Sequence, residues 1–315
     1  MEILIWSAIL LGAIFLLVKG ADYFVEGARN VGAVLGMSPF AIGVFIAGFG
    51  TSFPELASSF AAVIQGSTEI VVANAVGSNI TNILLVVGVV VFLGGRITIK
   101  RDLIKSELPI FFIATAHFVA IIYDGVVDRV ESLLLVGTFA AYIWYLFAEA
   151  EEEDHVEMQK ESGRRPRLQA KDLYWLVGGL LMVLVGAHYA IQMVINIGAA
   201  LTIPVEVVSI AAIALGTSLP ELFVAMKAVR EGHGEFAIGS IFGSNAFNIL
   251  MVVGIPGLFA TLEASEVVTS LGLPVLLAAS AIFFVNGLAK QIMRWEGLMM
   301  IIFFLFFLIK LVNFI

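Results

Sequence analysis

The chain has no cysteine in 315 residues, which excludes a disulfide framework, a thiolate nucleophile and any Cys-ligated metal. It is also poor in charge. Asp, Glu, Lys and Arg make up 13% of the residues, against about 25% in a typical soluble protein, too few to cover a water-facing surface. There is no His-Glu-x-x-His zinc motif, no nucleophilic Ser with a plausible His in its own half, and no pair of membrane Asp residues. An enzyme is therefore not expected, and no cofactor is called for. A net charge of -8 makes nucleic acid a poor partner. A cleavable signal is not expected either, because Met1-Glu2 is acidic where a basic region belongs and the apolar stretch is too long.

What is abundant is apolar surface, at 60% of the residues, so the solvent is expected to be lipid. Crossing about 30 Å of hydrocarbon takes about 20 mostly apolar residues. Such stretches fall at roughly 3–28, 38–64, 70–93, 105–122 and 127–148, then at 173–198, 205–229, 235–260, 267–286 and 292–314. Lys and Arg set the orientation, since cytoplasmic loops keep the positive excess. With loops taken alternately, one side carries fourteen of these residues, from Arg29 through Arg96, Lys171, Lys227 and Arg230 to Arg294, and the other only Arg129. This predicts a multi-pass protein of the plasma membrane with both termini outside. The polar stretch 149–171 is expected in the cytoplasm.

The chain also repeats itself. Gly50-Thr51-Ser52-Phe53-Pro54-Glu55-Leu56 returns as Gly216-Thr217-Ser218-Leu219-Pro220-Glu221-Leu222, an offset of 166. The same offset carries Gly77-Ser78-Asn79 onto Gly243-Ser244-Asn245, Asn82 onto Asn248, and Gly20-Ala21-Asp22-Tyr23 onto Gly186-Ala187-His188-Tyr189. Five spans per half make the second copy enter the membrane from the opposite side. The expected fold is an all-α membrane protein, ten transmembrane helices in two inverted five-helix repeats, 1–148 and 172–315, joined by the linker 149–171. In such architectures the site lies near the midplane where broken helices meet. Pro54 and Pro220 lack an N–H and disfavour helix at the preceding residue, so each motif should break and restart its helix.

Glu55 and Glu221 fall near the centres of apolar spans, where a lone acid costs about 2.5 to 3.5 kcal/mol on insertion scales. No Lys or Arg lies within the repeated Gly-Thr-Ser-x-Pro-Glu motifs, so the natural partners of the two acids are cations or protons. The other groups at hand are oxygens: the hydroxyls of Thr51, Ser52, Thr217 and Ser218, the amides of Asn82 and Asn248, and freed carbonyls. Ser78 and Ser244 lie one turn before the two Asn residues on the same helical face. An all-oxygen set favours a hard cation such as Ca²⁺ over soft transition metals, and disfavours Mg²⁺, which sheds water reluctantly. Two carboxylates neutralise one Ca²⁺ or two Na⁺, whereas three Na⁺ leave one positive charge.

At these motifs the chain resembles the cation/calcium exchanger superfamily, most closely its sodium/calcium exchanger branch with two alpha repeats. The motifs cover roughly 40–90 and 206–256. The resemblance implies an antiporter that exchanges Na⁺ for Ca²⁺ by alternating access, with Glu55 and Glu221 binding both ions. It implies ligation by Thr51, Ser52, Thr217 and Ser218 through hydroxyl and carbonyl, by Ser78 and Ser244, and by the carbonyls of Gly48 and Ala214. Asn82 and Asn248 complete the set, and Ca²⁺ itself is assigned to Glu55, Glu221, Thr51 and Thr217. The resemblance further implies that the first and sixth helices move past the rest. Potassium-dependent relatives have Asp at the position of Asn248, so exchange without K⁺ is expected. A proton-coupled antiporter of the same superfamily is the alternative, although those usually show Gly-Asn before the motif's Glu. A cation channel is a more distant one. Lipid and the two ions are the expected partners, and no oligomer is required.

Elsewhere, Lys19 and Asp22 are expected to pair along the first helix. His188, at the repeat position of Asp22, is read as a helix-packing residue, and the acidic run Glu149–Asp154 as a solvated loop.

Overall fold

The structure, a computed structural model, describes residues 2–99, 107–157, 168–201 and 218–314. Their backbone is helical except at short links, as a lipid solvent demands, because a helix satisfies its own N–H and C=O groups. The first half holds α1 (Glu2–Val34), α2 (Pro39–Ile64), α3 (Glu69–Gly94), α4 (Glu107–Ile122) and α5 (Arg129–Glu157). The second holds α6 (Ala170–Ala200), α7 (Leu219–Arg230), α8 (Gly234–Gly257), α9 (Val268–Leu288) and α10 (Arg294–Phe314). Seven of these, α1, α2, α3, α6, α8, α9 and α10, are long and apolar enough to cross a membrane. The opening part of the expected seventh span, 205–217, lies outside the described residues.

Helix starts follow local chemistry. Ser38 accepts the Ala41 N–H at 3.2 Å and Pro39 opens α2. Gln169 and Asp172 close a reciprocal capping box at the head of α6. Helix ends differ from the hydropathy boundaries. α1 runs six residues past 28, and α5 continues to Glu157, through the acidic run read as loop. Hydropathy marks where lipid stops, whereas Ala and Glu are good helix formers and prolong the helix into water.

α8 is the centre, with 94% of its most apolar window buried, against 17% for α1 at the periphery. The core is apolar, as with Phe24, Ile83 and Phe242, and so is much of the outer surface, with a small set of polar groups at the centre. Leu11, Phe15, Leu305 and Ile309 are exposed, while Glu55, Glu221, Asn245 and Ser244 are buried. Small residues let the central helices touch backbone to backbone. A Cβ on Gly43 would stand 2.2 Å from the Phe236 carbonyl oxygen, and one on Gly239 would stand 2.3 Å from that of Phe40, so α2 and α8 close on each other. At the edge, α1 packs along α6. There a Cβ on Gly20 would meet Val183 N at 2.7 Å and one on Gly186 would meet Leu17 N at 3.0 Å.

Two features carry no periodic signal. Short antiparallel ladders join β1 (Ile97–Thr98) to β4 (Gln291–Ile292) and β2 (Val126–Val127) to β3 (Leu262–Glu263). Wider π turns interrupt α2 at Gly43–Gly48, α3 at Thr81–Val87, α8 at Asn248–Val252 and α9 at Val268–Gly272. Such turns are rare and concentrate at functional sites.

Candidate cation site

α2 breaks at one residue. Ser52 has φ -91° and ψ 2°, outside the helical region, and the helix restarts at Phe53 with Pro54 second. Ser218 has φ -98° and ψ 1° before Leu219-Pro220, nearly the same backbone. The break is narrower than expected, since Gly50 and Thr51 stay helical. Pro54 still leaves the Gly50 carbonyl without its usual donor four residues on. Glu55 and Glu221 thus sit in the first turn of half-helices, where the dipole favours a carboxylate.

Both carboxylates are sealed from the surface, Glu55 at 1% exposure and Glu221 at 0%. The repeats meet around Glu221. Ser52 of α2 donates to its Oε1 at 3.4 Å and Ser244 of α8 at 3.3 Å. Ser244 also donates to the Gly48 carbonyl at 3.0 Å and lies 3.5 Å from the Thr51 hydroxyl. Thr51 in turn donates to the Ala47 carbonyl at 3.0 Å. Nearby, Asn82 of α3 donates to Asn245 Oδ1 at 3.3 Å, each near the π turn of its own helix. Phe247 stacks with Phe49, Phe53 and Phe139, centroids 5.3 to 5.9 Å apart, an apolar collar that strengthens charge interactions beside it.

The centre holds more oxygen than it satisfies. Among the described residues, Glu55 Oε2, Glu221 Oε2, Asn82 Oδ1, Asn248 Oδ1, Ser218 Oγ and Ser240 Oγ are buried without a hydrogen-bond partner, as are the amide nitrogens Asn245 Nδ2 and Asn248 Nδ2. Buried polar atoms are normally paired, so unused acceptors at one place suit a bare cation. No cluster of three His, Asp or Glu residues occurs among the described residues, which leaves two carboxylates and neutral oxygens.

The structure gathers Glu221, Ser52, Ser244, Thr51 and Gly48 directly, with Asn82 bonded to α8. Glu55, Ser218 and Asn248 are buried in the same broken or π-turn segments. Ser78 borders a cavity of about 250 Å³ between α3, α9 and α10. Thr217 and Ala214 lie outside the described residues. The halves are not equivalent: Asn82 bonds Asn245, whereas Asn79, the repeat counterpart of Asn245, turns to the Ala75 carbonyl at 2.8 Å. Two residues escaped the reading. Asn74 reaches the Glu55 carbonyl at 3.5 Å, and Ser240 is wholly buried in α8. They are 166 apart, but their side chains differ, so a search for identical residues passes over them. His188, expected to pack between helices, is exposed beside Tyr189, because its face of α6 points away from α1.

Apolar helices facing outward around a buried oxygen-rich centre define an integral, multi-pass membrane transporter. The chain belongs to the sodium/calcium exchanger protein family, whose model matches residues 5–148 and 171–312. It is 35% identical to the sodium/calcium exchanger MaX1 of Methanosarcina acetivorans over 96% of this chain and 97% of that one. It is 32% identical to the inner membrane protein YrbG of Escherichia coli over 89% and 88%. Its fold superposes on the sodium-calcium exchanger NCX_Mj, soaked with zero Na⁺ and Ca²⁺, with a TM-score of 0.82. The identity there is 26%, covering 99% of this chain and all of that one.

Proposed function

We propose that the chain is a Na⁺/Ca²⁺ antiporter of the plasma membrane that binds the two ions competitively at one site and opens it alternately to either face. The observation that carries this is the pair Glu55 and Glu221, both buried, each on a restarted half-helix, among unpaired oxygens. Thr51, Ser52, Ser78, Asn82, Ser218, Ser244, Asn248 and the Gly48 carbonyl join them, with Thr217 and Ala214 as the repeat counterparts of Thr51 and Gly48. A bare divalent ion needs both carboxylates to stay neutral there. Na⁺ competes for the same oxygens, and a third Na⁺ per Ca²⁺ makes the exchange move charge. MaX1 and NCX_Mj, both named for sodium and calcium exchange, support the choice of ions.

The architecture proposed is ten spans in two inverted halves, 1–148 and 172–315, with both termini outside. The ladders support it. Ile97 pairs with Ile292 and Val126 with Glu263, and adding 166 to 97 and to 126 gives 263 and 292. Each ladder is therefore the image of the other with the halves exchanged. The Gly20–Val183 and Gly186–Leu17 contacts are related in the same way.

The test is ⁴⁵Ca²⁺ uptake into proteoliposomes loaded with Na⁺, with K⁺, or under a pH gradient. Uptake is expected only with internal Na⁺, and Glu55→Gln or Glu221→Gln should abolish it while leaving thermal unfolding cooperative. Proton-driven uptake would move the protein to the proton-coupled branch. Full uptake by either Gln variant would remove the site.

A further inference from the structure

A second charged feature lies away from the site. Lys227 of α7 holds Asp22 of α1 at 2.8 Å and Glu231 at 2.8 Å, and Lys19 joins Asp22 at 3.2 Å. The Lys19–Asp22 pair is local, whereas Asp22–Lys227 ties two halves of the chain together. It stands in a cavity of about 250 Å³ between α1, the end of α3 and α7. That cavity runs down α7 from Arg230 to Leu222, the neighbour of Glu221, about 12 Å at the helical rise. The ion pair therefore stands in the wall of a space that follows the Leu222–Met226–Arg230 face of α7, while Glu221 lies on the buried face of the same helix.

The tie is one-sided. Under the offset of 166, Asp22 corresponds to His188 and Lys227 to Ala61, which cannot make an ion pair. The cavity-lining Leu93 and Met226 correspond to Phe259 and Phe60, whose rings stack at 5.7 Å. The two ends of the proposed repeat thus differ in chemistry, an ion pair beside a cavity at one and an aromatic contact at the other. α1 lies flat along α6, and beyond α6 it packs chiefly on α7. The Asp22–Lys227 contact therefore lies where the α1/α6 pair meets the rest of the molecule.

We propose that Asp22 and Lys227 form a gate that holds α1 against α7 and so limits the opening of the cavity between α1, α3 and α7 on the Arg230 face. The gate rests on the reading of alternating access above. Both partners are about a quarter exposed, so the pair biases the opening equilibrium and does not lock it. Pairs of this kind hold an equilibrium by no more than about fivefold.

The test uses the absence of native cysteine. Ala21→Cys places one thiol at a cavity-lining position that is 1% exposed. Its labelling by a membrane-impermeant thiol reagent should quicken about two- to fivefold in Asp22→Asn and in Lys227→Gln. Unchanged labelling in both would overturn the gate. In a second arm, Asp22→Cys with Lys227→Cys is bridged by a short bis-maleimide. Bridging should stop Na⁺-driven ⁴⁵Ca²⁺ flux, while each single Cys variant treated with the reagent keeps it; flux that survives bridging would also overturn the gate. Labelling needs no transported ion. A wild type without Na⁺-driven flux would therefore defeat the proposed function and leave the labelling result to decide the gate.

Discussion

At the scale of single residues, the centre leaves more oxygens than amide nitrogens unpaired among the described residues. Ser52 and Ser244 both serve Glu221, while Ser218, the counterpart of Ser52, meets no partner among the described residues. Ser52→Ala therefore removes a bond to a carboxylate and should cost about 1 kcal/mol or more of stability, and Ser218→Ala should cost less. Thermal unfolding of the two variants without added Ca²⁺ checks this, and equal losses would count against the asymmetry. The identities of Glu55, Glu221 and their hydroxyl neighbours were legible in the sequence because a constant offset repeats them. Asn74 and Ser240 were not, since their roles depend on which backbone each helix passes.

At the scale of helices, α2 and α8 approach until only glycine fits. Gly43→Val would drive a side chain into the Phe236 carbonyl, and overpacking of this kind costs about 1 to 3 kcal/mol. Gly77→Ala, where an added Cβ meets nothing within 4 Å, should be tolerated. Melting temperatures in detergent separate the two; a Gly43 variant as stable as Gly77→Ala would mean that the helices can part at no cost. The helix break was visible through Pro54 and Pro220, yet its width was not. A proline removes one donor, but whether the preceding turn unwinds depends on neighbours, and here Thr51 and Ser244 hold the Ala47 and Gly48 carbonyls. The π turns were silent in the sequence for the same reason: apolar residues such as Ile83 and Leu84 suit an α turn equally well.

At the scale of the molecule, the proposed inverted repeat predicts which surfaces share a side. Tyr123, 83% exposed between α4 and α5, and Glu231, at the end of α7, should lie on opposite faces. Tyr123→Cys and Glu231→Cys in this cysteine-free chain should label from opposite sides of a sealed vesicle, and labelling from the same side would break the topology. Exchange of three Na⁺ for each Ca²⁺ should also respond to an imposed membrane potential, measured as ⁴⁵Ca²⁺ uptake with a K⁺ gradient and valinomycin. An uptake indifferent to potential would instead favour two Na⁺ per Ca²⁺.

The sequence by itself determined the solvent, the repeat and the chemical type of the centre. Those depend on composition and on spacing along the chain, which exist before folding. Burial in lipid makes an intramembrane glutamate informative, and duplication makes it conspicuous. The tertiary structure alone decided that Ser52 serves Glu221 of the other half, that Asn82 rather than Asn248 finds an amide partner, and that Asp22 reaches Lys227 as well as Lys19. Each is a contact between residues more than 160 positions apart, set by the close packing of glycine-lined helices, and no local pattern encodes which side chains that packing brings within 3.5 Å.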